Sequence, residues 1–303
     1  MYHYRFTGLC IDSTILLPEL DAWEGETVSP DLEIHHRSVA PLKTGVPYSG
    51  GIARFHERDV GYEWEGVGRF RITHGTSIWA DPDPAADPRL VRLPIYSVAL
   101  ASALIQRGDL ILHASSIDIA GGAVLFVGRH RQGKSTLAAY CHEAGFPVLG
   151  DDLACIRFSG SGEPLLFPGL SRIKLWPDAL TDLGKSPDAF EPLHDCVDKR
   201  YLPIEPPRPT PRPVKAICFL GGGDTLGLNT ITPGEALPIL LGTTTLPQLL
   251  AIPALGQQFF RQSASLLNTV PAFSLKRPYD ATILPQTVEL IRDHFASADI
   301  PSH

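Results

Sequence analysis

Residues 128–135 read Gly-Arg-His-Arg-Gln-Gly-Lys-Ser, two glycines five apart with the second followed by Lys-Ser. This spacing suits a polyphosphate. Gly128 and Gly133 let the backbone turn tightly and aim N–H groups at phosphate oxygens. A helix beginning at the loop's end adds partial positive charge where the phosphates would sit. Lys134 can reach β- and γ-phosphates, and the Ser135 hydroxyl is a hard ligand suited to Mg²⁺. Arg131, Gln132 and Thr136 complete the candidate nucleotide-binding set. Chance alone gives such a pattern in about one chain in a hundred of this length. The flanks reduce that further: residues 123–127 are an apolar run of strand length, and 135–144 read as a helix stopped by Gly145. Strand, glycine loop and helix is the context the pattern needs.

The second chemical feature is Asp151-Asp152, which follows a short predicted strand at 147–150. A carboxylate at a strand end beside a phosphate loop can hold Mg²⁺ or take the proton of an attacking hydroxyl. Neighbours on a strand point to opposite faces, so a shared role requires the turn to begin there. Gly-Asp-Asp is also ordinary turn chemistry. His113 is a polar residue in an apolar run, 21 residues before Lys134, within reach of the loop through one hairpin. Arg200, in Asp-Lys-Arg-Tyr-Leu at 198–202, is a cation that could stabilise transferred phosphoryl charge; its plain alternative is a surface basic pair.

The elements that must position these groups change character along the chain. Residues 1 to about 80 read as β-rich, with strands predicted at 4–11, 31–37, 52–56, 61–65, 69–73 and 77–80. Residues 81–88 carry three prolines and read as a linker; 92–107 read as a helix ended by Gly108. From 110 the pattern turns α/β, with 110–114 and 116–120 expected as paired strands, and further strands at 216–220 and 272–276. Helices are expected near 233–241, 255–267 and 284–296, and the proline-rich 203–213 as an extended loop. Tyr62, Trp64 and Trp79 could line a groove or fill a core.

Composition narrows the classes. The 303 residues fit one large or two modest domains, and a net charge of −7 opposes a general nucleic-acid binder. Cys10, Cys141, Cys155, Cys196 and Cys218 form no Cys-x-x-Cys pair, which suggests neither a disulfide framework nor a zinc site but buried thiols of a reducing cytoplasm. The start of the chain does not read as a secretory signal, and no apolar run approaches a membrane span; 237–242 is short and broken. The expectation is a soluble cytoplasmic protein with no nucleic-acid or membrane partner.

His113, residues 128–135 and Asp151-Asp152 together resemble the catalytic domain of the HPr kinase/phosphorylase family, in which a strand-end His precedes a P-loop and a double Asp. Residues 198–202 loosely resemble that family's Asp-x-x-Arg-Leu element. The resemblance covers about 105–220. It implies an α/β fold, a P-loop catalytic domain of HPr-kinase type at 91–303 beside a small β-rich, substrate-recognising domain at 1–90. It implies ATP and Mg²⁺ as cofactors. Lys134 and the loop amides would bind the phosphates, Ser135 and Asp151 the metal. Asp152 would take the serine proton, and His113 and Arg200 would position the γ-phosphoryl group. Leu166 stands where the family has a metal-binding Glu, which leaves the reverse, phosphate-driven reaction open. The opening residues and 173–178 are similar to HPr-kinase-like proteins found with peptide-modification genes, some of which phosphorylate the C-terminal serine of lasso-peptide precursors. That branch implies a peptide or small protein carrying the acceptor Ser as partner, and the family's rings leave a homo-oligomer open. A small-molecule hydroxyl kinase and a nucleotide-binding regulatory module share the same site residues.

Overall fold

Tight Xaa-Gly turns build much of the first half of this mixed α/β protein. In the computed structural model, which describes residues 1–25, 29–195 and 197–296, Thr7-Gly8 and Ser49-Gly50 each put two successive residues at positive φ. Their backbone twist matches that of the strands they join. The run 4–11, expected as one strand, is therefore two: Tyr2–Phe6 and Leu9–Ser13 pair antiparallel across Thr7-Gly8. Alternation fixes which side is buried: in Gly68–Thr73, Phe70 and Ile72 are fully buried while Arg69 and Arg71 reach carboxylates at the surface.

The chain divides into two units, Met1–Ile111 with Thr245–Phe259, and Leu112–Thr244 with Phe260–His303. The first unit carries a nine-stranded sheet running in order from Asp21–Ala22 at one edge, through Tyr2–Phe6, Leu9–Ser13, Leu32–His36, Ser77–Pro82, Gly68–Thr73, Asp59–Trp64 and Gly51–Arg54, to Val46–Tyr48 at the other. Tyr62 and Trp64 stack with ring centroids 5.4 Å apart; Tyr62 is fully buried and its hydroxyl meets Ser102 at 2.9 Å. Trp79 lies under the guanidiniums of Arg37 and Arg71.

The proline-containing segment before 88 gives way to a helix earlier than expected, because Pro88 takes the first helical position and Asp87 caps it, accepting from the Arg89 N–H. Pro94 has no N–H for the ladder, and the helix widens to a π turn at Ile95–Ala99 before Leu100–Arg107 ends on left-handed Gly108. By length and composition this helix, Pro88–Arg107, could cross a membrane, contrary to the reading that no run approaches that length. Its buried side chains, Tyr96 and Ser102 among them, are those of a core helix: the Tyr96 hydroxyl donates to Glu19, which Arg92 also contacts at 3.1 Å.

The second unit is organised by three parallel strands, Gly122–Val127, Arg212–Gly222 and Ala272–Arg277. Gly122–Val127 is buried throughout, as its unbroken apolar run requires of a central strand. Ala114–Ile119 pairs with it across the Ala120-Gly121 turn and with Val148–Gly150 on its other side, so residues 110–114 and 116–120 are not a hairpin. Pro164–Phe167 joins Ala154–Phe158 to the sheet, and buries Leu166. A second sheet of Arg172–Leu175, Val197–Pro203 and Pro192–His194 packs its apolar side chains, Ile173, Leu175 and Leu202, into the core with Leu137 and Cys141 of helix Lys134–Glu143. Cys10, Cys141, Cys155 and Cys218 are buried; burial pushes the Cys141 thiol up to about 12, leaving it inert. Cys196 lies outside the described residues.

Candidate active site

Strand Gly122–Val127 delivers residues 128–133 to the sheet's carboxyl edge, and helix Lys134–Glu143 starts at once behind them. Gly133 caps the helix at φ +79°, a conformation glycine adopts without strain. Its missing side chain also leaves room for a neighbour: a Cβ there would lie 2.5 Å from Nη2 of Arg277. Six non-glycine residues among those described have positive φ. Thr7, Ser49, His74 and Ala120 each precede a glycine in a turn between strands; the remaining two, Arg131 at +65° and Asp152 at +67°, belong to this site. Two left-handed non-glycine residues within one site accord with a functional loop.

The Lys134 ammonium donates to the carbonyls of Gly128 at 2.9 Å and Arg129 at 3.1 Å. Burial pulls its pKa down, while Asp152 and Asp151 act in the opposite sense. Gln132 accepts from the Arg129 N–H and closes the loop on itself. Arg131 reaches outward, its guanidinium 5.9 Å from the Trp176 ring, and Thr136 lies half-buried in the first helical turn.

The adjacent aspartates have different surroundings. Asp151 is 6% exposed, its carboxylate accepts from Ser115 Oγ at 2.6 Å and from the Lys174 N–H at 3.1 Å, and Ser135 lies close enough to favour its charged form. Burial, then the charge of Asp152, raises its pKa. The Asp152 side chain is 32% exposed and meets the Lys174 ammonium at 3.0 Å. Burial pushes its carboxyl up, but Lys174, His113 and Lys199 outweigh it and hold the group well below the usual carboxylate range. The left-handed turn at Asp152 is what lets two neighbouring residues face one site. His113, at the bend before strand Ala114–Ile119, contacts the Asp152 carbonyl through Nδ1 at 3.0 Å, and Ser115 in that strand contacts Asp151.

Arg200 does not join this group. Its guanidinium turns back on its own strand, to the Asp198 carbonyl at 2.8 Å and carboxylate at 3.3 Å. Lys199, one residue earlier and hence on the opposite face, is the cation felt at Asp152, Lys134 and His130. Leu166 lies buried in its strand; the chain following it returns at Gly169, whose N–H donates to Leu149 O at 2.8 Å beside the aspartates. Ser115, Lys199 and Arg277 are residues the sequence reading missed. Only Ser115, at i+2 from His113, carried a local signal.

Ser135 and Asp151, neighbours in the site, are oxygen donors of the kind Mg²⁺ takes when phosphates and water complete its octahedron, so the residues present fit that ion. No known family's sequence model matches the chain. No curated protein matches it either. Among solved structures it is similar to the HPr(Ser) kinase/phosphatase from Coxiella burnetii, with 14% identity and a TM-score of 0.31 over 61% of this chain and 95% of that one. A likeness that low carries no argument about activity, which must be argued from the residues themselves.

Proposed function

We propose that the protein is an ATP-dependent phosphotransferase that passes the γ-phosphoryl group of Mg-ATP to a serine hydroxyl of a peptide or small protein. A lasso-peptide precursor ending in serine is the acceptor that the sequence resemblance favours. The observation carrying the proposal is the pairing of a buried Asp151, beside the loop's Ser135, with a half-buried and ionised Asp152 one residue on. Exposure divides the work: Asp151 is placed for the metal, Asp152 for the acceptor. A carboxylate held ionised is a weak base, yet it accepts the hydroxyl's hydrogen bond and orients it. That suffices where the transition state is loose and catalysis is chiefly positioning and charge neutralisation. When bound, Mg²⁺ neutralises charge building on the phosphate oxygens. Lys134 holds the phosphates, and His113 fixes the turn that carries Asp152.

The test is incubation with Mg-ATP and serine-ended peptides, followed by peptide mass. Gain of one phosphate is expected, lost in Lys134→Ala. Asp152→Asn should still bind ATP but transfer phosphate about 100- to 10,000-fold more slowly. Unchanged transfer by that variant removes Asp152 from the role. The Lys174–Asp152 ion pair favours one second reading, a nucleotide-binding module with little transfer, since it occupies the carboxylate. ATP binding without acceptor-dependent ADP release would select it.

A further inference from the structure

We propose that Arg277 is a phosphate-binding residue of the nucleotide loop, its guanidinium receiving phosphate oxygens of the nucleotide cradled by residues 128–135. The proposal rests on the nucleotide reading of that loop. Arg277 ends strand Ala272–Arg277, the third of the parallel strands, and so reaches the carboxyl edge where the loop begins. Its guanidinium lies where a side chain on Gly133 would be, directly against the loop backbone. The residue is 5% exposed.

What it lacks among the described residues is an anion. Two other well-covered arginines have one: Arg212 Nε is 2.6 Å from Asp118, and Arg92 is 3.1 Å from Glu19. Arg277 offers five N–H donors and reaches one acceptor, the neighbouring Pro278 carbonyl at 3.3 Å. A buried charge without a partner is costly, and a purely structural arginine would be paired. A planar fork beside backbone amides at a helix N-terminus fits a phosphate, which takes two parallel N–H bonds. Burial lowers the guanidinium pKa, as expected of a cation awaiting its counter-charge.

Equilibrium titration of ATP, inorganic pyrophosphate and adenosine into wild type, Arg277→Met, Arg277→Lys and Lys134→Ala, with thermal unfolding of each unliganded protein, tests this. Arg277→Met should melt no lower than wild type, since it removes an unpaired buried charge. It should bind ATP and pyrophosphate about 10- to 100-fold more weakly, with adenosine unchanged. Arg277→Lys should fall between the two. Wild-type affinity in Arg277→Met, with affinity lost in Lys134→Ala, overturns the role of Arg277 and leaves the nucleotide reading standing. A wild type that binds neither ATP nor pyrophosphate removes the nucleotide reading itself. Should Arg277→Met fail to fold, Arg277→Lys decides: normal melting with weakened phosphate binding supports the proposal, and wild-type affinity overturns it.

Discussion

Replacing Lys174 by Met should destabilise the protein chiefly by stranding Asp152. The two charges meet at 3.0 Å, with the lysine side chain 12% exposed and the aspartate 32%. Removing one partner of a buried ion pair costs about 3–5 kcal/mol, because the other charge stays behind without compensation. Asp152 retains contact with water, so the expected loss is at or below the foot of that range, about 2 kcal/mol. Adding Asp152→Asn removes the stranded charge, and the double variant should regain at least about 1 kcal/mol of the loss. Urea denaturation at pH 7 of the four members of the cycle measures this, provided their m-values agree. The pH dependence has a definite sign. The Asp152 carboxyl is depressed in the folded protein, since Lys174, His113 and Lys199 outweigh burial. Its contribution is therefore complete above the unfolded carboxyl pKa of about 3.9 and disappears as pH falls through the lower folded value. The penalty of Lys174→Met should be largest near neutrality and shrink in acid. Single-variant effects that add within about 0.5 kcal/mol would refute the coupling.

Two further outcomes follow from the geometry. Gly133→Ala would put a side chain at φ +79° and 2.5 Å from Arg277 Nη2; a loss of about 1–2 kcal/mol is expected, seen as a melting temperature lowered by several degrees, together with weakened ATP binding in titration. Asp59 accepts two bonds from Arg71, at 2.9 and 3.0 Å, and these with Arg54 overcome burial to lower its pKa. Asp59→Asn should therefore cost stability above about pH 4–5, with the difference from wild type closing at lower pH, as followed by denaturant midpoints across that range.

The sequence displayed what local chemistry specifies. The loop could be read because Gly128, Gly133, Lys134 and Ser135 lie within eight residues, and the helix behind it because an apolar face and Gly145 bound it. Gly108 ended its helix as expected for the same reason. Where a short turn decided the outcome, pattern alone misled: Thr7-Gly8 splits a run that alternates like one strand, and Ala120-Gly121 gives 114–119 a different partner from the expected one. Lys199 and Arg277 were illegible for a different reason. Each sits beside another cation, Arg200 or Lys276, and only the pairing of Val197–Pro203 with Arg172–Leu175, and of Ala272–Arg277 with Arg212–Gly222, singles it out at the loop. Arg200 shows the converse, since one step along a strand reverses the face a side chain takes.

That convergence gives the site a charge balance that distinguishes it from the rest of an acidic chain. Lys134 and Arg277 are cations whose burial works against their charge, Lys174 is tied to Asp152, and Lys199 and Arg131 reach the Trp176 ring at 5.5 and 5.9 Å. Asp151 and Asp152 are the acids set among them, and Asp151 is itself pushed toward neutrality by burial. Folding thus leaves positive charge in poorly hydrated positions, an arrangement a globular protein has no stability reason to keep. A ligand carrying several negative charges would satisfy these groups together, and a neutral one would satisfy none. Affinity for a nucleoside triphosphate should accordingly come mostly from its phosphates, with Trp176 and the half-buried Asp152 left to face whatever accepts the terminal one.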